Sequence, residues 1–336
     1  MSKIKRTTYF SDNKHLISEE NAKLYEKYIR SNVIKNPLVK SSTYKVYQNY
    51  MNHFMTFLAV EWDNMGLYSE DFMDDAVEIL ESYIMKLQEL GNNKKVINTK
   101  LSTISSFYLW SLKRGLIDKH PFDNKLERMK GAQDEKIIAS HFLSQEEIDA
   151  IEKGLKDRTK YTVQDELLWH IAYTSAGRVG ALSRLTLSSL NREDMLFEDI
   201  LEKRGKLVEI IYNNRADELL DEWLEQRKEM DNLEVDALFI SKHDGKWQMT
   251  TKGTLQARIK RMGNIIGIDD FRAHSIRKTR LNRIVEDGGS LELAAELANH
   301  ESTDTTKKSY VKPSSKKALR ARLDKLKESD QKQDDK

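Results

Sequence analysis

The sequence predicts a mainly α (α+β) protein of two domains, and three observations carry that expectation. Three prolines and 14 glycines punctuate 336 residues, too few breakers for a chain built from many short strands. Apolar residues recur at helical spacing from about Glu19 to Leu116 and again from Thr251 onward. Between these tracts, residues 119–141 carry Gly131 and many charges but no apolar face, which reads as an interdomain linker. A chain of this length has room for about two domains, each with its own core.

The expected organisation is an N-terminal arm over 1–18, a helical domain over 19–118, the linker, a second domain over 142–327 and a charged tail over 328–336. In the first domain, Leu24, Tyr25 and Tyr28 predict a helix over Asn21–Ile29. Ser42 or Thr43 suits the N-cap of a longer helix carrying Val46, Tyr47, Tyr50, Met51, Phe54, Phe57 and Leu58. A third helix runs through Val77, Leu80, Tyr83, Ile84 and Leu87 to a glycine stop at Gly91. The fourth carries Val96, Ile97, Leu101, Ile104, Phe107, Tyr108, Leu109 and Trp110, and leaves through Lys113-Arg114-Gly115. Its aromatic stripe belongs in the core rather than under stacked bases. Asn98, Thr99, Lys100, Ser102 and Thr103, on the opposite side, are expected to point outward, where they can meet phosphates.

Ser144 and Glu147 have the spacing of a capping box and open the second domain. Glu166–Tyr173 reads as an apolar helix leading into Thr174-Ser175-Ala176-Gly177-Arg178, with another helix at Ala181–Leu185. Ile200–Ile211 reads as a strand pair around a Lys203-Arg204-Gly205-Lys206 turn. Ala237–Ser241 reads as a short strand before a His243-Asp244-Gly245-Lys246 turn. The rest is helical, including Leu291–Leu297, and the tail after Lys327 is charged and expected to be disordered.

Composition removes several classes of function. With no cysteine there is neither a disulfide framework nor a thiolate metal site, and no cofactor or metal is expected. No apolar run approaches the roughly 20 residues that span a bilayer. The basic start Met1–Arg6 is not followed by an apolar stretch, so no signal peptide is expected. These features fit a cytoplasmic protein. The net charge is only +2, but nucleic-acid binding depends on where charge lies rather than on its sum. Acidic residues cluster over Glu61–Glu81, whereas basic ones gather at Lys94, Lys95, Lys100, Lys113, Arg114 and Lys119. The first domain is therefore expected to have one acidic and one basic face.

The chemistry-bearing residues lie further on. Arg178 follows Gly177 at a turn into a helix, and His274 and Arg277 stand one helical turn apart on one face. Asn299-His300 ends the apolar helix, and Ser309-Tyr310 follow within ten residues. Arginine forks match phosphate oxygens bidentately, histidine moves protons near neutral pH, and a tyrosine hydroxyl can attack phosphorus. Each signal alone is also what a solvated helix face or a helix-end cap provides. Together they point to a phosphodiester.

The order and spacing of these motifs resemble the tyrosine recombinase (phage integrase) family. Thr174–Leu185 resembles its first box, with Arg178 as the first catalytic arginine, and Lys203 matches the β-hairpin lysine. His274-Ser275-Ile276-Arg277 matches the second box and Ala298-Asn299-His300 the third motif. The resemblance implies a two-domain clamp on double-stranded DNA, a helical core-binding domain and a mostly helical catalytic domain with a small β-sheet. It implies DNA contacts from Lys94, Lys95, Lys100, Lys113, Arg114, Arg178, Lys203, Arg277 and Lys278, and a homo-oligomer on DNA formed through the C-terminal segment. Two positions depart from the family. A glutamate usual three residues after the arginine is Ala181 here. The nucleophile position, nine residues after the motif-three histidine, is Ser309, with Tyr310 one residue late. On an unbroken helix that shift rotates the side chain by about 100°, whereas a local bulge restores it. In this respect the chain resembles SPβ-type prophage repressors. Two readings follow: a strand-exchange-deficient, phage-encoded repressor, or an active integrase in which Arg178, Arg277, Lys203, His274 and His300 serve Tyr310. A protein-interaction module unrelated to DNA is a third class, marked by the lack of a basic groove.

Overall fold

The computed structural model describes residues 8–35, 41–131, 141–202, 205–230, 234–300 and 302–310. The chain divides into two units, Met1–Ile138 and Ala139–Lys336.

The first unit is helical among its described residues: α1 (Tyr9–Asn13), α2 (Glu19–Lys35), α3 (Ser41–Glu61), α4 (Glu70–Glu89) and α5 (Lys94–Lys113). Ser69 caps α4 by accepting from the Phe72 N–H, and Asn93 caps α5 by accepting from that of Val96. Gly91 and Gly115 end the two helices at φ +72° and +64°, a backbone region glycine enters without steric cost. The core is aromatic, as expected. Phe54, Phe72, Tyr83, Phe107 and Tyr108 are fully buried, with Phe72 stacked on Tyr108 at 5.5 Å between centroids.

Two expectations for this unit need correction. Lys100 and Thr103 do not point outward: they are 2% and 3% exposed. The described part of the arm covers Lys100, because Phe10 of α1 stacks on His53 at 4.0 Å and lies 4.8 Å from the Lys100 ammonium. The segment read as linker begins too early. Phe122 is buried, and Leu126 and Met129 pack on the same core. The Asn98 side chain bonds both the N–H and the carbonyl of Met129, each at 3.0 Å.

The second unit begins with α6 (Gln145–Gly154), opened by the Ser144/Glu147 capping box. A second such box, Thr162 with Asp165, opens α7 (Val163–Ser175), which is buried along most of its length. After α8 (Val179–Leu182) come β1 (Leu190–Asn191), β2 (Leu196–Leu201) and β3 (Leu207–Ile211), an antiparallel sheet in that order. Phe197 pairs with Ile210 and Ile200 with Val208, with a register irregularity between them where Asp199 takes φ +53°. Helix α9 (Asn214–Lys228) follows, then the hairpin β4 (Ile240–His243) and β5 (Lys246–Met249), whose Asp244-Gly245 turn has positive φ at both residues. The unit continues with α10 (Lys252–Met262), α11 (Ala273–Glu286), α12 (Leu291–Leu297) and α13 (Thr303–Tyr310).

Here the sequence located the elements more closely than their ends. The expected helix Ala181–Leu185 is Val179–Leu182, β2 starts before Ile200, and Ala237 makes only an isolated bridge to Thr186. The main core joins α7 (Leu167, Leu168, Trp169) to Phe197 and Ile210 of the sheet and to Leu219, Leu220 and Trp223 of α9. A smaller cluster, Ala176, Leu281, Ala294 and Ala298, forms a separate apolar floor beside the motifs of α11 and α12. The charged tail lies outside the described residues.

Candidate nucleic-acid interface

The end of α7 fixes the first side of the site. Ala176 terminates the helix in the left-handed region at φ +50°, so its carbonyl turns away from the helix axis. Gly177 follows because a Cβ there would come within 2.9 Å of both Leu182 Cδ2 and Ser175 Oγ. The Ser175 hydroxyl accepts from the Gly177 N–H at 3.0 Å and locks the corner. Arg178 leaves this corner half-buried and forms an ion pair with Glu202, at the end of β2.

Helix α11 supplies Arg277, only 3% exposed. Its guanidinium donates to the Ala176 carbonyl, to the Ala298 carbonyl at 2.5 Å and to His300 Nε2 at 3.1 Å. Arginine has no acceptor, so Nε2 must be the unprotonated nitrogen and the proton of the neutral ring sits on Nδ1. That nitrogen donates to Thr306 Oγ1 at 2.7 Å. Burial, reinforced by the charges of Arg277, Arg178 and Lys206, pushes the His300 imidazole down to about 4. His300 is therefore a neutral spacer linking Arg277 to α13, with both ring nitrogens engaged.

Arg178, Arg277 and His300, predicted from their motifs, thus come together. His274 sits exposed in the first turn of α11, one turn ahead of Arg277. Lys203 lies outside the described residues. Its hairpin neighbour Lys206 reaches the site and approaches the Asn299 carbonyl at 3.5 Å. Ser309 and Tyr310 both belong to α13. Sequence reasoning did not assign roles to Glu202, Lys206 and Thr306. Two readable signals were their places, one on either side of the hairpin turn and one six residues past His300.

The other expected DNA contacts divide. Lys278 is 3% exposed and lies over the Phe142 ring at 5.9 Å, so it packs inside the unit instead of presenting its charge. Lys94 and Lys95 begin α5 and Lys113 ends it, about 28 Å apart at 1.5 Å per residue. Cations at a helix N-terminus oppose its dipole, so the first pair strengthens an already anion-attracting end. Arg114 is exposed but donates to Ser31 Oγ at 3.1 Å. Among the described residues no cluster of acidic and histidine side chains is suited to hold a metal, and no helix is long and apolar enough to cross a membrane.

Against known proteins, the profile described as "Phage integrase family" matches residues 141–317. The chain belongs to this family, the tyrosine recombinases. It is 23% identical over 266 residues to tyrosine recombinase XerC of Corynebacterium efficiens, covering 77% of this chain and 80% of the relative. With XerC of Thermodesulfovibrio yellowstonii it shares 25% identity over 275 residues, 79% of this chain and 84% of the relative. Among solved structures, the Tn1549 transposon integrase in complex with circular intermediate DNA superposes with a TM-score of 0.64 at 16% identity, covering 91% of this chain and 99% of that one. A lambda integrase dimer bound to a COC' core site gives 0.63 at 14%, over 91% and 81%. These structural likenesses establish the integrase fold, mainly α with a small sheet.

Proposed function

We propose that this integrase-family chain binds double-stranded DNA without exchanging strands, and acts as a phage or prophage transcriptional repressor. The observation that carries the reading is the course of α13, α-helical from Thr303 through Tyr310. The position nine residues after His300 is Ser309, and successive positions on an α-helix lie about 100° apart. Near-attack geometry tolerates little displacement, and about 1 Å can cost on the order of a hundredfold in rate. The retained arginines still serve affinity, since neutralising phosphates is the sequence-independent part of DNA binding. Assembly of several copies on DNA through the segment beyond α13 is part of the same proposal.

A second reading, an active site-specific recombinase using Tyr310, is favoured by the likeness to XerC over about four-fifths of the relatives' length. A nicked suicide substrate separates the two. The first reading expects no covalent protein–DNA adduct and expects Tyr310→Phe to bind DNA like the parent. An adduct that disappears in Tyr310→Phe makes the second reading the right one.

A further inference from the structure

The carboxylate on Arg178 does not come from the position where the family resemblance leads one to look. Residue 181 is a fully buried alanine, and the counter-charge arrives instead from the sheet, as Glu202. The Glu202 side chain is 6% exposed and the Arg178 side chain 36%, so the acid lies beneath the arginine and the arginine faces out. The Glu202 backbone is also held: its N–H donates to the Lys206 carbonyl at 2.7 Å and closes the neck of the β2–β3 hairpin.

We propose that Glu202 is a built-in competitor for the phosphate that Arg178 grips, setting the affinity of the site below what its cations alone would give. The inference rests on the reading of this cluster as a DNA phosphate site. A phosphate bound at Arg178 brings a second negative charge to within several ångströms of a carboxylate buried beneath the arginine. At a separation of about 6 Å and an effective dielectric constant of about 20, that repulsion lowers affinity roughly tenfold to a hundredfold. Part of the Arg178 charge is spent on Glu202 before DNA arrives, so backbone phosphates alone hold the protein weakly and base contacts must supply more of the binding.

Glutamine at 202 keeps an acceptor for Arg178 at the same reach and removes only the charge. The experiment is a double-mutant cycle on the full chain: the parent, Glu202→Gln, Arg178→Ala and the double variant. Binding is read as fluorescence anisotropy of a labelled random-sequence 30-base-pair duplex across a salt series, with thermal unfolding to verify the fold. Glu202→Gln should bind at least about tenfold tighter at low salt, and the gain should vanish in the Arg178→Ala background. Glu202→Met serves the same purpose if the glutamine variant unfolds. Equal or weaker binding by a folded, neutral 202 variant overturns the proposal and makes Glu202 a positioning residue for Arg178. A gain that persists without Arg178 also overturns it, because the carboxylate then acts on DNA at large. If Arg178→Ala by itself leaves affinity and salt slope unchanged, the phosphate reading of the cluster has failed, and the competitor with it.

Discussion

Arg277 and Lys100 are buried to nearly the same degree, 3% and 2% exposed, one in each unit, yet their surroundings are opposites. Arg277 is met by two backbone carbonyls and a histidine nitrogen, each an acceptor fixed by the fold. Lys100 is met by the rings of Phe10 and Tyr50, beside His53, itself held neutral by burial and by Lys100, with its imidazole down at about 4. Burial alone brings the Lys100 ammonium down to about 8. The contrast teaches that a buried cation is integral to its unit when its neighbours replace the hydrogen bonds of water. Where they offer only π faces, the cation is a burden on the fold.

The sharpest way to break this comparison is to remove each cation. Arg277→Ala leaves the carbonyls of Ala176 and Ala298 without their donor and should cost about 3 kcal/mol in unfolding free energy by denaturant titration, besides weakening DNA binding. A change under about 1 kcal/mol would mean that the guanidinium is not integral to the fold. Lys100→Met should have the opposite sign, stabilising the chain by about 1 kcal/mol at neutral pH. Its advantage should shrink as pH rises from about 8 towards about 10.4, the ordinary lysine value. Over that window the folded parent has shed the Lys100 proton while the unfolded chain still holds it, so the parent gains stability with pH.

The smallest effect concerns His300. Its folded-state value of about 4 lies below the ordinary value of about 6.5. Between these the unfolded chain binds a proton that the folded chain does not, so stability falls as pH drops from about 6.5 towards 4 and is unaffected by this group above that window. Thermal midpoints measured from pH 7 to 4.5 should fall less steeply in His300→Gln than in the parent. Identical slopes would show that the imidazole carries no part of the acid sensitivity.

The same two residues show what the sequence can and cannot say. Arg277 was legible because the motifs that carry it recur in order along the chain, and Arg178 and His300 could be read with it. Lys100 was misread because the periodicity of α5 separates its faces without revealing that Phe10, some 90 residues away, covers one of them. Local chemistry was well recorded: the Ser144/Glu147 box, the Gly91 and Gly115 stops and the Asp244-Gly245 turn all stand in the structure. Helix α9 carried an equally readable stripe of Ala216, Leu219, Leu220 and Trp223 behind its Asn213 cap, and was overlooked among its charges. Glu202, Lys206 and Thr306 had readable places in the chain, but not readable partners. Each acts on a group from a distant element, and only tertiary packing brings them together.

Arg277 holds the corner after α7 to the carbonyl and imidazole that follow α12. Removing this arginine would therefore untie two parts of the unit whether or not any strand is ever cut. In this chain the arginine of the second box is a structural tie as well as a candidate phosphate contact.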